Sequence, residues 1–201
     1  MNQEQIEKNK EKFISIFTEH IKREGADKLL EWIKKSDFFT APFTTQYNLS
    51  EEGGLCKHAL DTYNRFRTSI LRELGTEYEK NYSEESIAIV GLLSCLHKVN
   101  CYKKDIKKVK DENGMWTDVP IYKFDDALPF GKGAKSVFIL QTFMKLLWKE
   151  SEPIRFYLGG HEYPSDTMIE PNMPKIFNES IYTLLIYTAD LEATYIDEKV
   201  V

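Results

Sequence analysis

Apolar positions three and four residues apart run through most of the chain, the period of helices that bury one face. Over residues 3–24 the stripe is Ile6, Phe13, Ile14, Phe17 and Ile21, and Gly25 is expected to close the helix. "ADKLLEWIKKS" predicts a second, short helix, and Thr40 to Ser50, broken by Pro42, a loop. Leu55, Ala59, Tyr63, Phe66, Ile70 and Leu74 place a long amphipathic helix from Gly53 to Leu74, ended by Gly75. Ser83 is the expected N-cap of the next helix. Its apolar run "IAIVGLLSCL" carries no charge, so that helix should be central and buried.

The pattern changes over residues 105–124. "KKVKDENGMWTDVPIYKF" sets Asn113-Gly114 between two alternating segments, a hairpin signal. Gly131 and Gly133 punctuate a loop before the helix "AKSVFILQTFMKLLWK", and a further helix around Glu152–Leu158 ends at Gly159-Gly160. A polar loop with Pro164, Pro171 and Pro174 leads to a closing helix from Ile176 to Ile196. There are no repeats and no low-complexity linkers. The expectation is one mainly α-helical domain over residues 1–201 with a β-hairpin inserted at 105–124.

Composition narrows the function classes. With 201 residues, 42% hydrophobic and 29% charged, the chain has the make-up of a soluble globular domain large enough to bury a core. A net charge of -5 argues against coating a nucleic acid polymer or an anionic membrane, so any anion site must be a local cluster of cations. Cys56, Cys95 and Cys101 are odd in number and lack disulfide-framework spacing, which suits a reducing cytoplasm. The start "MNQEQIEKNKEKF" has no apolar core of a secretory signal, and no apolar run reaches membrane-spanning length. The expected location is cytoplasmic, without a membrane partner.

Five segments carry a family resemblance: "EGGLCKHALDTYNRF", "LLSCLHKVNCYKK", the "ENG" hairpin with "VPIYKFDDALPFGKGAKSVF", "IRFYLGG" and "YTADLEATYID". Together, over roughly residues 27–197 and in order, they resemble the HD-domain phosphohydrolase superfamily, above all the compact HD proteins of low-GC bacteria and their phages. The resemblance implies an all-α, HD-domain-like helical bundle with a small hairpin insertion. Members are metal-dependent hydrolases of phosphate esters and nucleotides, whose ligands are a first His, an adjacent His-Asp pair and a late Asp.

His58 matches the first His and Asp190 the last Asp, while Lys98 matches the lysine that follows the pair. The pair itself then falls on Ser94 and Cys95, and His97 stands one turn too late to replace the lost His. Lys132 stands where relatives tend to carry His, as do Tyr157 and Asn48. A catalytic divalent metal needs three or more convergent ligands and an open position for water, and His58 with Asp190 is too few. The ancestral chemistry is therefore expected to be gone.

The resemblance then points to a ligand-binding set of His58, Lys98, Lys132, Tyr157, Asp190, Asn48 and Ser94, with no cofactor. Two ammonium groups can hold phosphate oxygens without generating hydroxide. The leading expectation is a catalytically inactive protein that binds a small phosphorylated nucleotide intact, such as a phage sponge for a bacterial immune signal in the host cytoplasm.

Alternatives stay open. A remodelled metalloenzyme could use His58, Cys95 and Asp190 for zinc. A scaffold or partner-binding domain with an inert pocket would use its hairpin as the surface. In that reading Asp190, flanked by apolar "LLIYTA", pairs with His58 or Lys98 as a relic ion pair between helices. HD-like domains often form homodimers, and no interface signature is visible in this chain.

Overall fold

The structure, a computed structural model, describes residues 1–80, 82–112, 114–128, 131–159 and 172–199. Asn113, Gly160, Pro164 and Pro171, named above, lie outside the described residues. Helix α1 (Gln3–His20) is capped by the Asn2 side chain, which accepts from the Gln5 N–H, and it buries Ile6, Phe13 and Phe17. It stops at Ile21, short of Gly25. Gly25 instead opens α2 (Ala26–Lys35) at φ +89°, and a Cβ there would lie 1.9 Å from the Phe143 carbonyl oxygen. This glycine answers a tertiary contact as well as a turn.

Helix α3 (Gly54–Leu74) is the centre of the molecule, packed against α1, α4 (Glu84–Leu93) and α8 (Ile181–Glu192). Ser83 caps α4 by accepting from the Ser86 N–H, and Ser86 through Leu93 are all buried, as the uncharged run predicts. The α-helix does not continue through "SCLHK". It tightens at Ser94–Lys98 into a 3₁₀ turn, from which the chain leaves into β1.

Strands β1 (Tyr102–Lys110) and β2 (Trp116–Phe124) form one antiparallel pair, in register from Tyr102 opposite Phe124 to Lys110 opposite Trp116. The ribbon thus begins three residues before position 105 and closes through residues 111–115. There the Asp111 N–H donates to the Met115 carbonyl and the Asp111 carboxylate accepts from the Met115 N–H.

The remaining helices are α5 (Lys132–Phe143), α6 (Trp148–Phe156), α7 (Met173–Glu179) and α8. Two long helices expected from the sequence are each broken. The apolar run from Ala134 to Lys149 leaves helical geometry at Met144, whose φ of -142° is extended. Arg23 holds the break: its guanidinium donates to the Lys145 carbonyl (2.9 Å) and to both oxygens of the fully buried Glu150 (2.7 and 2.8 Å). Glu150 in turn accepts from the Leu147 N–H and so starts α6. The closing helix breaks at Ser180, whose hydroxyl caps α8 at Thr183, and Pro174 lies in the first turn of α7. The result is a mostly helical fold with a small two-stranded ribbon.

Candidate functional site

After α8 the chain widens into a π-type turn, Ala193–Asp197, and this turn brings Glu198 back against α3. His58, facing inward from α3, is clamped between two acids. Its Nδ1 lies 2.8 Å from Glu198 Oε1 and its Nε2 3.1 Å from Asp190 Oδ1, with the Thr62 hydroxyl 3.2 Å from Nε2. All three charged residues are buried. Burial alone would lower the pKa of His58, but hydrogen bonds to Asp190 and Glu198 outweigh it and raise it to about 9. At neutral pH the ring is an imidazolium that donates one N–H to each carboxylate.

The loop before α3 roofs this cluster. Gly54 lets it approach: a Cβ there would sit 2.4 Å from the Leu49 carbonyl oxygen and 2.9 Å from the Phe43 nitrogen. Phe43 stacks on the His58 ring with centroids 3.5 Å apart and planes 12° from parallel. Lys98 donates to the Phe43 carbonyl at 2.7 Å and holds its ammonium 3.8 Å from the same ring's centroid. Burial pushes Lys98 down to about 8; Asp190 and Glu198 pull against that shift and Lys132 adds to it. The His58 imidazolium and the Lys98 ammonium therefore lie beside the carboxyl groups of Asp190 and Glu198.

Of the expected ligand set, the structure brings His58, Asp190 and Lys98 together in this way. Ser94 is buried, its hydroxyl turned back onto the Val90 carbonyl (2.5 Å) while its own carbonyl accepts from Ser136 (2.6 Å). Tyr157 is fully buried, with its hydroxyl 3.3 Å from His97 Nδ1. Its ring is therefore closed to a ligand. Asn48 donates to the Thr194 carbonyl (2.9 Å) and so ties the roof loop to the π turn. Lys132 stands exposed at the start of α5. The space between His58, Ala59, Thr62, Gly91, Ser94, Cys95 and Tyr157 admits no water-sized sphere.

His97 is a buried neighbour of this layer. Burial, then the charges of Lys98 and Lys132, hold its pKa well below the ordinary histidine value, so it is neutral. Among the described residues its Nε2 finds no hydrogen-bond partner.

A metal of the kind the family resemblance implies does not fit these residues. Both His58 nitrogens are engaged by carboxylates, which leaves no lone pair to donate. Burial pushes Cys95 up to about 12, so it is a thiol. No group of three His, Cys, Asp or Glu among the described residues is placed to hold an ion.

The sequence reading missed Glu198. It lies eight residues after Asp190, two helical turns on and so near the same face, but "DEKVV" reads as a charged tail. Only the packing of the π turn on α3 shows where it points.

Among the described residues no helix is long and apolar enough to cross a membrane. Comparison with family models, with curated proteins and with solved structures found no match.

Proposed function

We propose that the chain is a non-catalytic relative of the HD-domain phosphohydrolases that acts by binding a protein partner, with its former metal centre retained as a structural clamp. One observation carries the reading: the imidazole that the resemblance aligns with the family's first metal ligand is an imidazolium with both N–H groups held by Asp190 and Glu198. An imidazolium cannot ligate a metal, and without a metal-bound water the site has no hydroxide for phosphoryl transfer. The space beside His58, Thr62, Ser94, Cys95 and Tyr157 is closed to water and offers a ligand no volume. What can bind lies outside, where the two strands of the ribbon expose Ile106, Val109, Trp116, Val119 and Phe124.

A second reading, capture of a small phosphorylated nucleotide without hydrolysis, is favoured by a different observation. Lys132 lowers the pKa of Lys98, so the two ammonium groups stand close enough to repel. A phosphate between them would relieve that repulsion.

One experiment separates these readings. Protein purified without added metal is examined by native mass spectrometry and then assayed on phosphodiester and nucleotide substrates with Mg²⁺, Mn²⁺ or Zn²⁺. The clamp reading expects no metal, no turnover and no co-purified ligand. Metal-dependent turnover lost in Asp190→Asn would overturn the non-catalytic reading. A phosphorylated ligand lost in both Lys98→Ala and Lys132→Ala would replace the protein-partner reading by nucleotide capture.

A further inference from the structure

In an antiparallel ribbon, residue pairs that exchange hydrogen bonds alternate with pairs that do not. Two bonds fix the phase of β1–β2. Where the strands leave the body, the Asp125 N–H donates to the Cys101 carbonyl at 2.8 Å, and at the turn the Asp111 N–H donates to the Met115 carbonyl at 2.8 Å. Both are pairs of odd-numbered residues, and the register sets odd opposite odd throughout. The even residues therefore turn their N–H and C=O groups outward. Pro120, which has no N–H, and Ile106, whose N–H is taken by the Asp105 carboxylate at 2.8 Å, both stand at such positions. So does Tyr122, whose N–H and C=O make no backbone bond outside the ribbon among the described residues.

This outward edge of β2 meets the roof loop across a cleft of about 360 Å³, within the ~300–1,000 Å³ range of small-molecule sites. Thr45 and Gln46 form the wall on the loop side. Ile121 and Phe124, which point to opposite faces of the ribbon, make the other wall apolar, and Lys107 and Lys123 add ammonium groups. Among the described residues no acid lines the cleft. Lys123 is paired with Asp105, so Lys107, with no ion pair among the described residues, is the cation left for a ligand.

The loop wall is held in one shape. The Thr44 hydroxyl lies within hydrogen-bond distance of the Gln46 and Asn48 carbonyls, and Asn48 is tied to Thr194. Tyr47 and Leu49 both take positive φ, 65° and 53°. Left-handed backbone at two non-glycine residues so close together is costly, and such strain gathers at ligand clamps.

We propose that this cleft binds a small molecule with two features: a flat edge that sets a hydrogen-bond donor beside an acceptor, and an anionic group. The Tyr122 C=O and N–H meet the edge, Ile121 and Phe124 flank it, and Lys107 holds the anion. A purine nucleoside monophosphate carries both features. The adenine amine donates to the carbonyl, the neighbouring ring nitrogen accepts from the N–H, and the phosphate takes the ammonium. The inference goes beyond the readings above, because the cleft uses neither the His58 centre nor Lys98 and Lys132, and needs no protein partner.

The test titrates the ¹⁵N-labelled full chain with adenosine 5′-monophosphate. Adenosine, which lacks the anion, and ribose 5-phosphate, which lacks the edge, are titrated in parallel. Expected are amide shifts at Thr45, Gln46, Tyr122 and Phe124, with weaker binding of both partial ligands. Lys107→Ala should weaken the monophosphate about tenfold, the loss of one hydrogen bond to a charged group, and leave adenosine unchanged. Its unfolding midpoint should not move, because the side chain is exposed.

Equal affinity for adenosine, wild-type affinity for the monophosphate in Lys107→Ala, or no shift at millimolar ligand would each overturn the inference. Shifts centred on Lys98 and Lys132 would overturn it in favour of nucleotide capture at the centre. The clamp reading is judged by the turnover assay, so each can fail without the other.

Discussion

Replacing His58 by Gln tests the clamp, because Gln can donate to one acid but carries no charge. The folded-state pKa of His58 is about 9 against an ordinary 6.5, so the folded state binds this proton more tightly than the unfolded chain does. The resulting stabilisation is fully present below about pH 6.5, where it amounts to about 3 kcal/mol at 1.36 kcal/mol per pKa difference of one. It is lost as pH rises through about 9. Integrated from pH 6.5 to 8.5, the loss is about 2 kcal/mol.

The assay is urea unfolding of wild type and His58→Gln at both pH values, scored as the difference between the two proteins. Scoring the difference matters because Lys98, held down at about 8, works in the opposite sense. Its folded state binds the proton more weakly than the unfolded chain does, so its unfavourable contribution shrinks as pH rises through 8. Contributions common to both proteins cancel in the difference, and the wild type's advantage should narrow by about 2 kcal/mol. Removing one member of a buried charged cluster costs about 3–5 kcal/mol and could leave the variant unfolded. A direct titration of the wild-type His58 imidazole by ¹H–¹⁵N spectroscopy therefore accompanies it, with a midpoint near 9 expected. A midpoint at or below 6.5, or a stability difference flat in pH, would refute the clamp.

Other perturbations test what holds the site in place. In Gly133→Ala the new methyl would meet the Arg155 carbonyl oxygen at 2.2 Å, and since that neighbour is backbone, α5 and α6 must separate. A loss of about 1–3 kcal/mol in urea unfolding is expected. Arg23→Met strips the buried Glu150 of its guanidinium while Ser86 (2.6 Å) and the Leu147 N–H (2.8 Å) still donate to it. About 3–5 kcal/mol should be lost, and Glu150→Gln in the same background should restore part of it by removing the stranded charge. If Glu150→Gln gives no recovery, the Arg23–Glu150 pair is not what sets the break between α5 and α6.

The sequence by itself determined the helical character of this protein, the extent of α2 and α3, the start of α4 and the presence of the hairpin. Periodicity, an N-cap serine and glycine stops are local signals, and Ser83, Gly75 and the uncharged run of α4 act where they stand in the chain.

Tertiary structure alone decided whether the remaining residues form an open pocket or a closed core. Sidedness and register in space follow from packing of elements far apart in the chain. Arg23 breaks a helix more than a hundred residues away, the π turn delivers Glu198 to His58, and Tyr157, expected in a ligand-binding set, is fully buried. Glu198 made the difference at the centre: with one carboxylate His58 is half engaged, and with two it has no lone pair left for a metal. That second carboxylate arrives through a long-range contact, which no local pattern encodes.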